Sequence, residues 1–82
     1  MQEFIIHLRS ALDVNEFVAL AAPLCAVALS DSLRSVDGKN FMEIFCLQLP
    51  GPLTVTASGT EEQCRAFKEG CGKFMGTHEI RL

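Results

Sequence analysis

The chain has 82 residues, a length that encloses a single apolar core, so we expect one domain over residues 1–82. Hydrophobic residues make up 49% of the chain and charged residues 21%, a balance that favours a folded domain over intrinsic disorder. The formal net charge of −3 supplies no basic cluster for a phosphate backbone, so we do not expect nucleic acid as a partner.

The longest apolar run, residues 17–29, is too short to span a bilayer and is interrupted by Pro23, so it indicates a buried helix and no membrane insertion. Its Ala26-Val27-Ala28 segment resembles a signal-peptide cleavage site, but acidic residues stand where a basic region should precede it. The four cysteines are widely spaced, which favours reduced thiols in a cytoplasmic protein over a disulfide framework.

The N-terminal half predicts a strand, a helix and a hairpin. Residues 2–9 partly alternate apolar and polar side chains, as a half-buried strand does. Asp13-Val14-Asn15-Glu16 has the form of a capping box, so a helix should begin there and should kink or end early at Pro23. A strand is expected over residues 30–36, and Asp37-Gly38 predicts a tight turn leading into the next extended segment.

The C-terminal half predicts a short helix, a strand and a longer helix. Apolar residues at helical spacing indicate a helix over residues 42–49, which Pro50-Gly51-Pro52 should end. Its apolar stripe consists of Met42, Phe45, Cys46 and Leu49. In residues 53–57, apolar side chains alternate with threonines, and this alternation indicates a strand. Thr60-Glu61-Glu62-Gln63 is a second capping box, and Gly76 should end the helix that follows. The apolar stripe of that helix consists of Cys64, Phe67, Cys71, Phe74 and Met75. Residues 78–82 form either a short strand or a loose tail.

The predicted order β-α-β-β-α-β-α indicates an α+β fold, with helices over one face of a mostly antiparallel sheet. This order, the Asp37-Gly38-Lys39 turn, the short helix and the segment Ala57-Ser58-Gly59-Thr60-Glu61-Glu62 together resemble the histidine-containing phosphocarrier protein (HPr) family. That family belongs to the bacterial sugar phosphotransferase system, and the resemblance covers almost the whole chain. It implies an open-faced sandwich of four strands and three helices.

The family's active site is a Gly-Leu-His-Ala-Arg-Pro segment at the start of the first helix, where the imidazole accepts phosphate. Aligned without gaps, the histidine becomes Asn15, the arginine Phe17 and the proline Val18, with Glu16 between them. A carboxamide cannot form a comparable phosphoramidate, and Glu16 adds negative charge where phosphate would lie. The regulatory serine of many members corresponds to Met42. The resemblance therefore implies a degenerate member that is not a competent phosphocarrier.

The leading hypothesis is a protein-binding or regulatory module whose partner docks on the start of the first helix and on the short second helix. An exposed Phe17 would supply an apolar docking patch there; alternatively, Asn15, Glu16 and Phe17 are only a helix cap and its first packed residue. A second hypothesis is a small α+β ligand-binding regulatory domain of ferredoxin-like type, unrelated to phosphotransfer. The strand order of the sheet separates these two hypotheses.

A third hypothesis, an enzyme or redox protein, would use one of the cysteines, and their reactivity tests it. These are Cys25, Cys46, Cys64 and Cys71. No catalytic motif is present, so the sequence predicts no enzyme, no cofactor and no metal site. His7 and His78 have no neighbouring cluster in the sequence and are expected in surface or sheet-face roles. The sequence sets no oligomeric state.

Overall fold

The backbone follows the predicted element order over residues 2–47, 49 and 51–75, which are the residues that the computed structural model describes. The strands are β1 (Gln2–Ile6), β2 (Ala26–Ser30), β3 (Ser35–Asp37) and β4 (Leu53–Ser58). The helices are α1 (Ala11–Ala21), α2 (Phe41–Ile44) and α3 (Glu61–Gly70), and a 3₁₀ turn, Cys71–Phe74, continues α3.

The four strands form one sheet in the order β1-β4-β2-β3, with every neighbouring pair antiparallel. Alternation along the central strand β4 decides its two faces, because successive side chains of a strand point to opposite sides. Leu53, Val55 and Ala57 are buried, whereas the threonines between them are half-buried. The fold is therefore the predicted α+β open-faced sandwich, with one face of the sheet under the helices.

Phenylalanine rings connect the helical elements that cover the sheet. Phe17 of α1 lies with its ring centroid 5.5 Å from that of Phe67 in α3 and 6.5 Å from that of Phe74 in the 3₁₀ turn. Both pairs have the edge-to-face geometry that aromatic quadrupoles favour. The fully buried Phe17 ring thus packs α1 against α3 and against the 3₁₀ turn.

Helix α1 begins earlier than predicted. The capping side chain is that of Ser10, whose Oγ accepts a hydrogen bond from Asp13 N at 3.2 Å, so the predicted start at residues 13–16 is wrong. Asn15 accordingly lies within the second turn of the helix. The predicted early stop is confirmed, because α1 ends at Ala21, two residues before Pro23. Pro23 has no backbone N–H and cannot donate the next helical hydrogen bond to the carbonyl of residue 19, which fits an end at this point.

The hairpin turn lies at residues 31–34, so its predicted position at Asp37-Gly38 is wrong. Asp31 Oδ1 accepts hydrogen bonds from Leu33 N at 2.7 Å and Arg34 N at 2.8 Å, which closes the β2–β3 turn. Consequently, strand β2 starts at residue 26, where residue 30 was predicted. Gly38 instead follows β3 at a close approach to β2, where an added Cβ would lie 2.6 Å from Val27 Cγ1.

Helix α2 is shorter than predicted and presents a different face to the core. It covers four residues, Phe41–Ile44, and the Asn40 side chain caps it by accepting from Glu43 N at 3.1 Å. This cap starts the helix before residue 42 and places Ile44 and Leu47 in the core. The predicted apolar stripe is therefore wrong, since Met42 and Phe45 are exposed.

Helix α3 begins where predicted, but it ends at Gly70, and Cys71 and Phe74 of the predicted stripe lie in the 3₁₀ turn that follows. Thr60 Oγ1 accepts from Gln63 N at 3.0 Å, and Gln63 Oε1 accepts from Thr60 N at 3.1 Å, so the capping box is complete. The predicted stripe residues Cys64, Phe67, Cys71 and Phe74 are all buried. The predictions for Gly76 and for residues 78–82 lie outside the described residues.

Candidate functional site at the heads of the first and second helices

Side chains of the protein itself accept hydrogen bonds from backbone N–H groups at the N-terminus of α1. Ser10 accepts from the backbone of Asp13, and Asp13 Oδ2 in turn accepts from Arg9 N at 3.0 Å. A carboxylate in the first turn is stabilised by the partial positive charge of a helix N-terminus. The Asp13 carboxylate therefore already places a negative charge in the first turn, where such a helix would otherwise favour an external anion.

The four aligned positions do not form one surface. Asn15 is exposed, Val18 is half-buried, and Phe17 is fully buried beneath them. Glu16 lies 3.1 Å from Lys73 Nζ, a surface ion pair that contributes little to stability. The expected docking patch at Phe17 is therefore wrong. Of the alternative, the packing of Phe17 agrees with the structure, but the cap is Ser10 and not Asn15 or Glu16.

The described histidine nearest to this helix head in sequence is His7, which precedes the Ser10 cap by three residues. Its backbone N–H donates to Phe74 O at 2.7 Å, and Nδ1 of its ring is buried with no hydrogen-bond partner among the described residues. Phosphoryl transfer between proteins requires a ring nitrogen that the donor can reach. Burial closes Nδ1 of His7 to that reaction.

Three large apolar side chains are exposed on the two adjoining helices α1 and α2. Leu12 in the first turn of α1 is 65% exposed, Met42 is 72% exposed and Phe45 is 43% exposed. We call Leu12, Met42 and Phe45 the α1–α2 surface. Large apolar side chains exposed on adjoining helices are candidates for an interaction site. Sequence reasoning missed Leu12 because it started the helix after this residue, and a correct Ser10 cap would have placed it in the first turn.

The cysteines divide into two exposed thiols, Cys25 and Cys46, and two buried thiols, Cys64 and Cys71. Burial raises the pKa of the Cys71 thiol to about 12, so it stays protonated and unreactive near neutral pH. Cys64 Sγ lies 3.8 Å from Ala57 O, to which the thiol donates. Within the described ranges, no group of three or more metal-ligating side chains comes together.

These features define the chain's structural class as an HPr-like open-faced sandwich. A ferredoxin-like sheet would place β1 and β3 at its centre, whereas here β4 and β2 are central. A solved structure that shares the fold is HPr-C-His from Thermoanaerobacter tengcongensis, with a TM-score of 0.68. The two chains are 20% identical over 87% of this chain and 91% of that one. No family model matches the sequence, and no curated protein matches it either.

No helix in the described part of the chain combines the length and apolar character needed to cross a membrane.

Proposed function

We propose that this chain is a degenerate HPr-like protein of the sugar phosphotransferase type, which binds a protein partner and does not carry phosphate on histidine. The observation that supports this most directly is the head of α1, where the Ser10 hydroxyl and the Asp13 carboxylate serve the helix N-terminus. A phosphoryl group there would meet a negative charge in place of an imidazole and a cation. Both the nucleophile and the electrostatic environment oppose phosphotransfer.

The binding role rests on the α1–α2 surface. Methionine and phenylalanine are enriched at the cores of protein interfaces, and here Leu12, Met42 and Phe45 are exposed on neighbouring helices. Met42 also occupies the position aligned with the family's regulatory serine, so a hydroxyl switch is replaced by an apolar contact residue. We infer that a partner protein covers this surface.

The rest of the proposal follows from the same scaffold. The protein would act in the bacterial cytoplasm as a single HPr-like domain, without catalytic activity and without a cofactor. Among the described residues, the exposed Cys25 and Cys46 belong to no group of three or more side chains that could hold a metal ion.

A ligand-binding role would use the cleft between α1 and α3, which is lined by apolar side chains such as Leu20, Pro23 and Phe67. Its volume of about 270 Å³ is below the roughly 300–1,000 Å³ of typical small-molecule pockets, whereas a groove of about 560 Å³ beside Glu3, Phe4, Ile5 and Thr54 falls within that range. We favour the protein-binding role because of the exposed apolar side chains of the α1–α2 surface.

Incubation with phosphotransferase enzyme I and phosphoenolpyruvate, followed by intact-mass measurement, tests the phosphotransfer half of the proposal. A competent HPr in a parallel reaction is the control. We expect the mass of this chain to stay unchanged, and an acid-labile phosphate adduct would refute the proposal.

The variant Asn15→His tests whether the missing histidine alone prevents phosphorylation or whether the rest of the site also opposes it. We expect it to remain unphosphorylated, because residue 15 lies in the second turn of α1 and Asp13 occupies the helix head. Rapid phosphorylation of the variant would show that the site is intact apart from its histidine, and that Asp13 does not oppose phosphate.

Capture of partners from the native host tests the binding half. Met42→Lys should abolish capture of any protein that docks on the α1–α2 surface. Leu33→Lys is the matched control, because Leu33 is 70% exposed but lies in the β2–β3 turn. If the two variants capture the same proteins as the unmodified chain, the surface is not the docking site.

A further inference from the structure

Strand β1 lies at one edge of the sheet, and β4 is its neighbour on the inner side. An edge strand presents unpaired backbone donors and acceptors, and proteins usually cover, shorten or charge such an edge to prevent association. β1 has five residues, an ordinary strand length, so its outer side offers room for a further strand. The hydrogen bonds around β1 indicate which segment covers that side.

These bonds decide which residues of β1 face outward, because successive residues in an antiparallel sheet direct their backbone groups to opposite sides. Val27 of β2 accepts a backbone bond on the β3 side, so its neighbour Ala28 faces β4, where it stands opposite Thr56. Val55, next to Thr56, consequently faces β1, where it stands opposite Phe4. Phe4 is thus paired inward.

Glu3 and Ile5, the neighbours of Phe4, therefore direct their backbone N–H and C=O groups outward. No hydrogen bond among the described residues joins these groups on that side. His7 continues the alternation beyond the end of β1, and its outward N–H donates to Phe74 O at 2.7 Å. The 3₁₀ turn thus already covers the outer side at His7, and the groups of Ile5 and Glu3 follow from there.

The chain reaches this edge in the direction that a covering strand needs. Helix α3 follows β4, whose Ala57 stands opposite Gln2, and the 3₁₀ turn that continues α3 ends at Phe74 beside His7. The helical segment therefore runs along β1 from its first residue to beyond its last. A continuation that turns back along the edge is antiparallel to β1, as is every neighbouring pair of strands in this sheet.

The segment that follows the described part of the chain, residues 76–82, is long enough to cover the edge. At about 3.3 Å per residue, its seven residues span roughly 23 Å when extended, whereas the five residues of β1 span about 17 Å. It contains no proline and includes the β-branched Thr77 and Ile80, which suit a strand. Glu79 and Arg81 supply the charges that are typical of an outermost strand.

The crossover that this strand creates has the required hand. Helix α1 connects β1 with β2, which are parallel to each other with β4 between them. A strand outside β1 and antiparallel to it is parallel to β4, with β1 between them and α3 as the crossover. Both helices lie on one face of the sheet, since the rings of Phe17 and Phe67 are 5.5 Å apart. The second crossover starts from a strand of opposite direction and moves the opposite way across the sheet, so both have the same hand, as the right-handed rule demands.

We propose that residues 76–82 form a fifth strand, which pairs antiparallel with the outer side of β1 and closes this edge to strand addition by other chains. The segment bonds to the outward backbone groups of Glu3 and Ile5 and so extends the contact between Phe74 O and His7 N. Its attachment beside the edge favours it over a strand that is free in solution. This inference does not depend on the proposed partner-binding function, because it uses no residue of the α1–α2 surface.

Hydrogen exchange of the full chain, measured for each amide by NMR, tests whether the edge is covered. The amides of Glu3 and Ile5 should exchange at least about tenfold more slowly than in an unstructured chain, at every protein concentration. Exchange at the unstructured rate overturns the proposal. Protection that appears only as the concentration rises also overturns it, because a second copy would then be the cover.

Two double variants test whether residues 76–82 are the cover. Glu79→Pro with Ile80→Pro removes two adjacent amides, one of which faces β1 in any register. Glu79→Ala with Ile80→Ala is the matched control, because it keeps both amides. Protection of Glu3 and Ile5 should fall by roughly tenfold or more in the proline variant and by much less in the alanine variant. Equal protection in the two variants overturns the proposal.

Nuclear Overhauser contacts in the unmodified chain give a test that needs no variant. Pairing brings backbone protons of residues 76–82 close to those of Glu3 and Ile5, and the absence of such contacts overturns the proposal. The Thr56 amide, which lies in the central strand β4, should stay protected in both double variants and reports on their folding. If the proline variant loses this protection, the contacts in the unmodified chain decide.

Discussion

All three helices begin with the same kind of side-chain cap, but α1 and α3 bury larger side chains than α2 does. In each, a capping side chain accepts from the backbone N–H three residues later, the caps being Ser10, Asn40 and Thr60. α1 and α3 each place a phenylalanine in the core, whereas the four-residue α2 buries Ile44. A cap therefore decides where a helix starts, and its length decides how much of the core it can occupy.

The same difference separates stability from interaction along the helix layer. The long helices hold the fold through rings that are inaccessible to other molecules. The short helix leaves Met42 and Phe45 exposed, because one turn can direct few side chains inward. The variants below test this division, beginning with the largest expected effect.

Truncation of the central ring should be the most damaging change. Phe17→Ala removes contacts to Phe67 and Phe74 and should cost about 3–5 kcal/mol in the free energy of unfolding, measured in urea. Phe45→Ala in the exposed region is the control and should cost much less, since Phe45 is 43% exposed, although its ring lies edge-to-face with that of Phe41. Similar losses from both variants would remove the distinction between the two regions.

Alkaline pH should weaken the buried region through Cys71. Its pKa rises from 9.0 to about 12 because burial penalises the thiolate. As the pH rises, the unfolded chain therefore loses this proton first. The contribution of the protonated Cys71 thiol to the free energy of unfolding is fully present below pH 9, and it falls by about 1.4 kcal/mol per pH unit between pH 9 and 12. Urea titrations across this range should show a shallower slope for Cys71→Ala. An unchanged slope would contradict the assignment.

Thiol labelling reports the same division without denaturant. At neutral pH, Cys25 and Cys46 should react with iodoacetamide before Cys64 and Cys71, because the latter two are buried. Peptide mapping after partial labelling measures the order.

Removal of a helix cap should have a moderate effect. Thr60→Ala leaves Gln63 N without its acceptor and should cost about 1 kcal/mol, whereas Thr60→Ser keeps the hydroxyl and should be nearly neutral. Asn40→Ala should cost no more than this, because the helix that it caps buries only Ile44. Chemical denaturation of the three variants provides the comparison, and a larger cost for Asn40→Ala would contradict it.

Substitution on the α1–α2 surface should scarcely change stability. Met42→Lys replaces a side chain that is 72% exposed, so the free energy of unfolding should change by no more than about 0.5 kcal/mol. A much larger loss in thermal denaturation would show that Met42 contributes to the core, and it would then be a poor probe of docking.

The starts of α1 and α3 show why one helix was predictable and the other was not. Thr60 and Gln63 form a complete motif within four residues, and the buried stripe that follows has regular helical spacing. Before α1, two cap residues compete, Ser10 and Asp13. The structure uses Ser10 as the cap and turns Asp13 back to Arg9 N, an outcome that the pattern at residues 13–16 did not indicate.

The candidate site was less predictable than the fold because it depends on exposure. The alignment named Asn15, Glu16, Phe17 and Val18, but a shift in the helix start moved them away from the helix head, and Phe17 turned into the core. Leu12 became accessible by the same shift. A change of a few residues in helix start has little effect on element order, yet it rotates every side chain to a new direction.

Local patterns were sufficient to predict β4, α3, the end of α1 near Pro23 and the α+β element order, because caps, alternation and proline act within a few residues. Tertiary contacts decided the start of α1, the length and buried face of α2 and the position of the β2–β3 turn. They also placed β1 at an edge of the sheet. Burial depends on contacts between residues that are far apart in the chain, such as Phe17 and Phe74. A local sequence pattern does not predict such contacts.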